Sequence, residues 1–513
     1  MVEAYKTLPH PWKTGQLFRL TVDVAAWPAA IQSCTIRLRA DLALQAMFMA
    51  VNGNRVSQGQ SRATSRIVVV TALLIVHACV LAWQSWRVGP SEAELTRLTR
   101  GLQHWSGQVH SIQPAPLLIS LVGSLPLLAF DVLPDEAVGL EQASANTVGN
   151  PSVDLDKTAP VFQTRACLFG RWTCIALSVW GGWICYRWGS ELFGAVAGVI
   201  STGLWALWPM SLSTSPLEHT AAGAAPVALA AVYLAWRWLK SPDWTTALLA
   251  GLASGLAMLA GFEWIGLGIA LPLLWLAARR RLKVQAAMGG CEPLATRPTI
   301  VQLLIAGLVA FYVINLTFLF EGTLTALGSY RFASKFLIGP DNDITGYANR
   351  FHDGVLGAVP IPLPQAYVLS LDAWLQELEE CPKGKDVSAS STSLSRWQSA
   401  IGDTARDVPA PFWLLGILSI LWPRDPQQTR LLLETLALWL PMLCASSLLS
   451  LGPGCPDSRA LRFCVIPFSM VAVSRVGGVI PGRSRRQVVV GVLLTWYVLG
   501  GLWATFGGDT PPN

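Results

Sequence analysis

Charge is scarce in this sequence. Asp, Glu, Lys and Arg make up 13% of its 513 residues, about half of the roughly 25% usual in soluble domains. With 52% hydrophobic residues beside so little charge, a soluble fold would have too few polar groups to cover its surface. Tyrosine is also sparse, at eight against 23 tryptophans, and an excess of tryptophan suits membrane–water interfaces. The six histidines are dispersed and form no HExxH or similar ligand pattern. The ten cysteines include no close pair with metal-type spacing, so neither a zinc site nor a disulfide framework is indicated. Cys455 and Cys464 are candidates for a bridge outside the membrane, two free thiols being the simpler reading. A net charge of +6 is small for this length and implies no nucleic-acid partner. What remains is a polytopic membrane protein.

About 20 apolar residues cross a bilayer as a helix. That ruler gives about eleven spans: Ile67–Trp86, Trp172–Trp188, Leu192–Met210, Thr220–Leu239, Thr245–Phe262, Trp264–Ala278, Ile300–Phe320, Pro411–Trp422, Leu431–Leu449, Leu461–Val473 and Val488–Thr505. Cytoplasmic loops accumulate Lys and Arg. With the N-terminus inside, the cytoplasmic segments carry Arg62 and Arg66, then Arg187, then Arg237 and Lys240. Next come Arg279, Arg280, Arg281, Lys283 and Arg297, then Arg424 and Arg430, and last Arg475, Arg483, Arg485 and Arg486. The short loops on the other face, Ser211–His219 and the turn at Glu263, hold neither Lys nor Arg, and Leu451–Ala460 holds only Arg459. The expected topology is N-terminus cytoplasmic and C-terminus outside.

The expected organisation has four parts. Residues 1–60 contain no membrane-length run and no clean signal-peptide pattern, and Met47 or Met49 is an alternative start. Residues 61–320 form a transmembrane module that includes a first exposed loop, 87–171. Within that loop Pro114–Phe130 is half-apolar, and Leu117–Leu125 reads as a short interfacial helix. Residues 321–409 form a second exposed loop, Ser/Lys-rich at Lys383–Ser395, and residues 410–513 carry the last helices.

Several motifs fall in order along this frame. The first loop has Ser91-Glu92-Ala93-Glu94, Gly101-Leu102-Gln103-His104-Trp105 and Pro114-Ala115-Pro116-Leu117. Then come Glu191-Leu192-Phe193-Gly194, Ala197-Gly198, Trp208-Pro209 and the Gly-rich Leu248–Gly261. The second loop has Glu321-Gly322, Gly328-Ser329-Tyr330-Arg331-Phe332 and Pro360–Asp372, and a late span has Arg462-Phe463 with Pro467. From about Arg66 to Thr505 the sequence resembles the GT-C membrane glycosyltransferases of the protein O-mannosyltransferase and aminoarabinose-transferase type. It departs from them at two acidic positions, where Ala93 and Ala221 stand.

The resemblance implies an all-α polytopic fold with two large non-cytoplasmic loops. It also implies transfer of a sugar from a polyprenyl-phosphate donor to an unidentified acceptor on the non-cytoplasmic face, and a bacterial inner membrane is the expected location. Membrane lipid and the lipid-linked sugar are the expected partners, with no cofactor and an open question over a divalent metal. Glu94 and Glu92 are the candidate bases, because a carboxylate can take or orient the acceptor's proton. Arg97 and Arg100, on the same helical face as Glu94, offer a local ion-pair face as the simpler role for that residue. Glu218, His219, Tyr330, Arg331, Lys335, Arg350 and Arg462 are the candidate substrate-binding residues, since cations and donors stabilise charge on a departing phosphate. Arg462 is the sharpest of them, because Arg inside an apolar span costs roughly 2.5–3.5 kcal/mol unless it faces a polar interior or snorkels. Loss of the two acidic positions leaves a second reading, a relative that keeps the lipid groove without chemistry. A transporter ranks last, because neither an internal repeat nor a central charge pair is evident.

Overall fold

The computed structural model describes residues 66–87, 89–107, 117–128, 159–206, 220–287, 298–339, 349–352 and 354–380. These residues are almost entirely helical, and one isolated bridge, Ala326 to Pro360, is the only β-pairing among them. The expected spans at Pro411–Trp422, Leu431–Leu449, Leu461–Val473 and Val488–Thr505 lie outside the described residues, as does the N-terminal segment.

Helix α1 (Arg66–Arg87) is long and apolar enough to cross a membrane. Helix α2 (Glu92–Trp105) begins on a capping box: Ser91 accepts from the Glu94 amide while the Glu94 carboxylate accepts from the Ser91 amide. Its apolar residues Leu98 and Leu102 then face the core. Helix α3 (Leu117–Leu128) packs on α2 and on α4 (Ala159–Phe193) and is buried along much of its length. Leu117–Leu125 is therefore helical as expected, with neighbours on several sides. Helix α4 has 35 residues, about 52 Å at 1.5 Å per residue, far longer than the expected span Trp172–Trp188. Its first turns belong to what the sequence presents as the end of loop 87–171, so Arg171 sits inside a helix.

Gly194, with φ +90°, turns the chain from α4 into α5 (Ala195–Ala206), which folds back along it. Helix α1 runs antiparallel to α4 on another side. Leu74 meets Gly182, His77 bonds Ser178, Leu81 clusters with Ile175, and Ser85 bonds Arg171. His77 Nδ1 donates to the Ala206 carbonyl at 2.8 Å and its Nε2 pairs with the Ser178 hydroxyl at 2.9 Å, so one buried imidazole joins three helices.

Helices α6 (Thr220–Lys240) and α7 (Trp244–Ala260) form a hairpin closed by Asp243, whose carboxylate accepts from the Thr246 amide at 2.6 Å. A 3-10 turn at Phe262–Gly266 leads into α8 (Leu267–Ala287), and a second capping box, Thr299 with Gln302, starts α9 (Ile300–Thr317). The stretches Phe262–Arg280 and Ile300–Thr317 join α1 as helices long and apolar enough to span a bilayer. Helix association in lipid relies on close packing at small residues. Accordingly α7 lies parallel to α9, with Gly251 against Ala306 and Gly255 against Ala310. A Cβ added at Gly255 would stand 2.7 Å from the Ala310 carbonyl oxygen.

The bundle has two chemically different ends. At one, Arg237, Lys240 and Arg279 lie over Tyr233, Trp236 and Trp275, and Trp238 and Trp275 share a cluster near the start of α9. At the other end stand α2, α3 and the residues that follow α9. There the chain passes through Leu319, Phe320 and Leu324, whose φ values of 53°, 60° and 64° are left-handed. It continues through α10 (Lys335–Ile338) to α11 (Gln365–Glu380). With three helical stretches long and apolar enough to cross a bilayer, the protein is an integral membrane protein.

Candidate functional site

The N-terminus of α2 is held by a charge that comes from α4. Arg171 engages both oxygens of Glu94, its Nε donating to Oε1 at 2.8 Å and its Nη2 to Oε2. Two further guanidinium protons go to the carbonyls of Ser85 and Gly89, each at 2.8 Å. One arginine thus joins the end of α1, the loop behind it and the first turn of α2. Both members of the pair are almost wholly out of solvent. A planar guanidinium matches a carboxylate in this bidentate way, and such pairing is what a buried charge requires. The Glu94 carboxylate therefore belongs to a capping box and an ion pair at once. Glu92, two residues earlier in the same turn, has an exposed side chain.

Further along α2, Arg100 is buried, and that burial, with Arg97 beside it, lowers its pKa to about 10; it stays protonated at neutral pH. His104 donates from Nε2 to the Thr317 carbonyl at 2.8 Å and sets its ring edge-on to Phe318. Burial lowers the His104 pKa below 6.5, against an opposing contribution from the Thr317 carbonyl. This contact fastens the last turn of α2 to the end of α9, where the second exposed segment begins. A third fastening comes from α11: Tyr367 donates its hydroxyl to the Met258 carbonyl at 3.2 Å, and its ring meets Phe262 and Phe318. Burial, reinforced by Glu263, pushes the Tyr367 hydroxyl well above the ordinary tyrosine range. Helix α2 and the described residues after α9 therefore stand at the same end of the bundle.

Within the second segment Asn315 binds the Pro362 carbonyl and accepts from the Thr323 hydroxyl, which holds the left-handed turn after α9. Asp372, buried on α11, accepts from the Ala333 amide at 2.6 Å and from the Ser334 amide and hydroxyl at 3.1 and 2.6 Å. That grip leaves Arg331 and Lys335 exposed on either side of it. Tyr330 is buried and stacks on Phe332, their centroids 5.7 Å apart, and burial raises its hydroxyl pKa. Arg350 is exposed; it donates to the Phe336 carbonyl at 3.1 Å and lies over the Phe336 and Phe351 rings.

Of the sequence-derived candidates, Tyr330, Arg331, Lys335 and Arg350 fall in this one segment. Glu92 and Glu94 share the first turn of α2. Glu218, His219 and Arg462 lie outside the described residues. Sequence reasoning found neither Asp372 as an organiser nor Glu94 as the partner of Arg171. An arginine at the head of an apolar run needs a partner, and that was the available signal for Arg171. Among the described residues no group of His, Cys, Asp and Glu is arranged to hold a metal ion.

Residues 166–290, from α4 to just beyond α8, match the family model described as dolichyl-phosphate-mannose-protein mannosyltransferase. The resemblance to GT-C membrane glycosyltransferases holds over that stretch. No curated protein matches the chain. Among solved structures, it is similar to the apo oligosaccharyltransferase of Archaeoglobus fulgidus, with a TM-score of 0.43 and 14% identity, over 85% of this chain and 55% of that one. It is likewise similar to oligosaccharyltransferase AglB of the same organism, solved with an inhibitory peptide and a dolichol-phosphate. There the TM-score is 0.45 and the identity 13%, over 86% of this chain and 56% of that one. The chain thus spans little more than half the length of either structure.

Proposed function

We propose that this chain is a membrane glycosyltransferase that moves a sugar from a polyprenyl-phosphate donor to an acceptor on the face where the two exposed segments stand. The observation that carries the reading is the match of residues 166–290 to a family of polyprenyl-phosphate-sugar-dependent mannosyltransferases. The junction of α2, α9 and α11 supports it, because an acceptor-side carboxylate and a group of cations then share one end of the bundle. The cluster of Arg237, Lys240 and Arg279 at the opposite end supports a cytoplasmic placement for that end, in a bacterial inner membrane.

In this reading the acceptor loses a proton to a carboxylate as its oxygen or nitrogen forms a bond to the sugar's anomeric carbon. The bond from that carbon to the phosphate oxygen breaks, and polyprenyl phosphate departs. Glu92, exposed on the first turn of α2, is the carboxylate best placed to meet an acceptor, while Glu94 acts through Arg171 to fix that turn. Arg331, Lys335, Arg350 and Arg462 are the proposed phosphate-facing cations, with Glu218, His219 and Tyr330 as polar neighbours of the substrates.

The decisive experiment supplies the reconstituted protein with labelled polyprenyl-phosphate mannose and follows label in the acceptor fraction. Transfer that falls on Glu92→Gln and on Arg462→Ala supports the assignment; full transfer in both removes it. One observation favours a second reading: Glu94 is committed to Arg171, and Ala93 stands beside it. If Glu92 does not serve as base in its stead, the chain would bind the lipid-linked sugar without turning it over, and the same assay paired with donor binding separates the two.

A further inference from the structure

The lipid-facing flank of α9 does not end where the helix ends. Along the helix Leu304, Leu308, Phe311, Tyr312 and Leu316 are exposed, as a span facing lipid requires. Beyond it Leu319 and Phe320 are exposed too, and Phe320 rests against Tyr312 with ring centroids 5.7 Å apart. Beyond the exposed Glu321, the left-handed turn carries Leu324, which is 62% exposed.

From Leu324 the backbone passes the surface on to a second turn. The Leu324 amide donates to the Ile361 carbonyl, the Ile361 amide to Thr325, and the Leu327 amide to Val359, at 2.9 to 3.0 Å. These bonds bring alongside it the 3-10 turn Val355–Ala358, which carries Val355 at 92% exposure, Leu356 at 58% and, just after it, Val359 at 43%. Such a turn tip is convex and nearly bare, a shape that fits fluid acyl chains better than a groove-seeking partner. Arg331, Lys335 and Arg350 are exposed on the same segment. Cations beside apolar side chains are the pattern of a surface that sits on anionic headgroups with its apolar part below them.

We infer that the turns at Leu319–Leu324 and Val355–Val359 form a bilayer-seated platform, inserted into the leaflet at which α9 ends. The platform holds the second exposed segment flat against the membrane. It rests first on the exposed apolar side chains after α9, and Arg331, Lys335 and Arg350 then sit at the headgroup level, where a donor phosphate would also lie. Leu319, Phe320 and Leu324 hold left-handed backbone with their side chains exposed. Strain of this sort persists where the surroundings over-determine it, and the Asn315 bonds to Pro362 and Thr323 do so here.

A photo-crosslinking residue placed at Val355 or Leu356, in the full chain reconstituted in nanodiscs of phosphatidylethanolamine and phosphatidylglycerol, tests the inference. The same residue at the exposed Ala93 on α2 is the control. Mass spectrometry is expected to find phospholipid adducts at both turn positions, several-fold above the Ala93 level. Adduct yields equal to the control, or crosslinks predominantly to polypeptide, overturn the platform. A thermal melt of each labelled protein, expected to match the unmodified chain, confirms that the probe sits on an intact fold. If Val355 proves intolerant, Leu356 alone reads the same outcome.

Discussion

Arg171 and Glu94, 77 positions apart in the chain, meet in a two-pronged ion pair that neither water nor lipid reaches. The pair sets where α2 begins relative to α1 and α4. Removing one member of such a pair strands the other charge, at a cost of about 3–5 kcal/mol. Glu94→Ala and Arg171→Ala are each expected to lower the melting temperature strongly, and the double variant to lose far less than the two losses added together. Additive losses would show that the two residues stabilise the fold separately.

Glu92 and Glu94 divide the work differently under the proposed function. Glu92→Gln is expected to reduce transfer by roughly 100-fold or more, the ordinary contribution of general-base help, without moving the melting temperature. Glu94→Gln is expected to lower both. Unimpaired transfer in Glu92→Gln would remove that residue from the chemistry.

His104 makes stability depend on pH. Its folded-state pKa lies below 6.5, so the unfolded chain takes up the proton first as the solution is acidified. The contribution is complete above the ordinary value of 6.5 and is lost progressively as the pH falls below it. His104→Phe retains an aromatic edge against Phe318 and is expected to flatten that part of the melting profile. An unchanged acid slope in the variant would assign the effect to another group.

Gly255 leaves no space for a side chain against Ala310. Gly255→Val is expected to push α7 from α9 and to cost more than the roughly 1–3 kcal/mol of ordinary overpacking, because the obstructing atom is backbone. Gly307 on α9 has nothing within 4 Å of an added Cβ, so Gly307→Ala is the matched control, expected to hold or raise the melting temperature. Equal losses at the two sites would contradict the packing described.

Asp372 holds the segment between two tryptic sites. Hydrogen bonds to a charged group contribute about 1.5–3 kcal/mol each, and Asp372→Ala removes three. Cleavage after Arg331 and Lys335 is expected to accelerate tenfold or more, with the rest of the digestion pattern unchanged. A rate equal to that of the parent protein would mean that other contacts secure the segment.

Long apolar runs made much of the bundle readable in advance. The expected spans at Ile67–Trp86, Thr220–Leu239, Thr245–Phe262 and Ile300–Phe320 each agree with an observed helix to within three residues at either end. Helix α4 was underestimated because the ruler starts after the charge of Arg171, whereas helix runs back through the mainly apolar residues 159–170 and on to Phe193. Helix α5 is shorter than expected in its described part because Gly194 delays its start to Ala195. In the second exposed segment, α11 escaped notice because its buried face includes Asp372 and Tyr367 among charged neighbours. The site was legible as residue types and hidden as partnerships. That Glu94 answers to Arg171, and Thr317 to His104, follows from helices meeting at one end, which no local pattern encodes.

Under the proposed function, the contact between α7 and α9 also constrains where a donor's hydrocarbon could go. With Gly251 and Gly255 resting on the backbone of Ala306 and Ala310, that seam is too tight to admit even a single isoprene unit. A long-chain carrier lying along this protein must thread a different crevice. Widening the α7–α9 seam by mutation would give it a false berth rather than a better one.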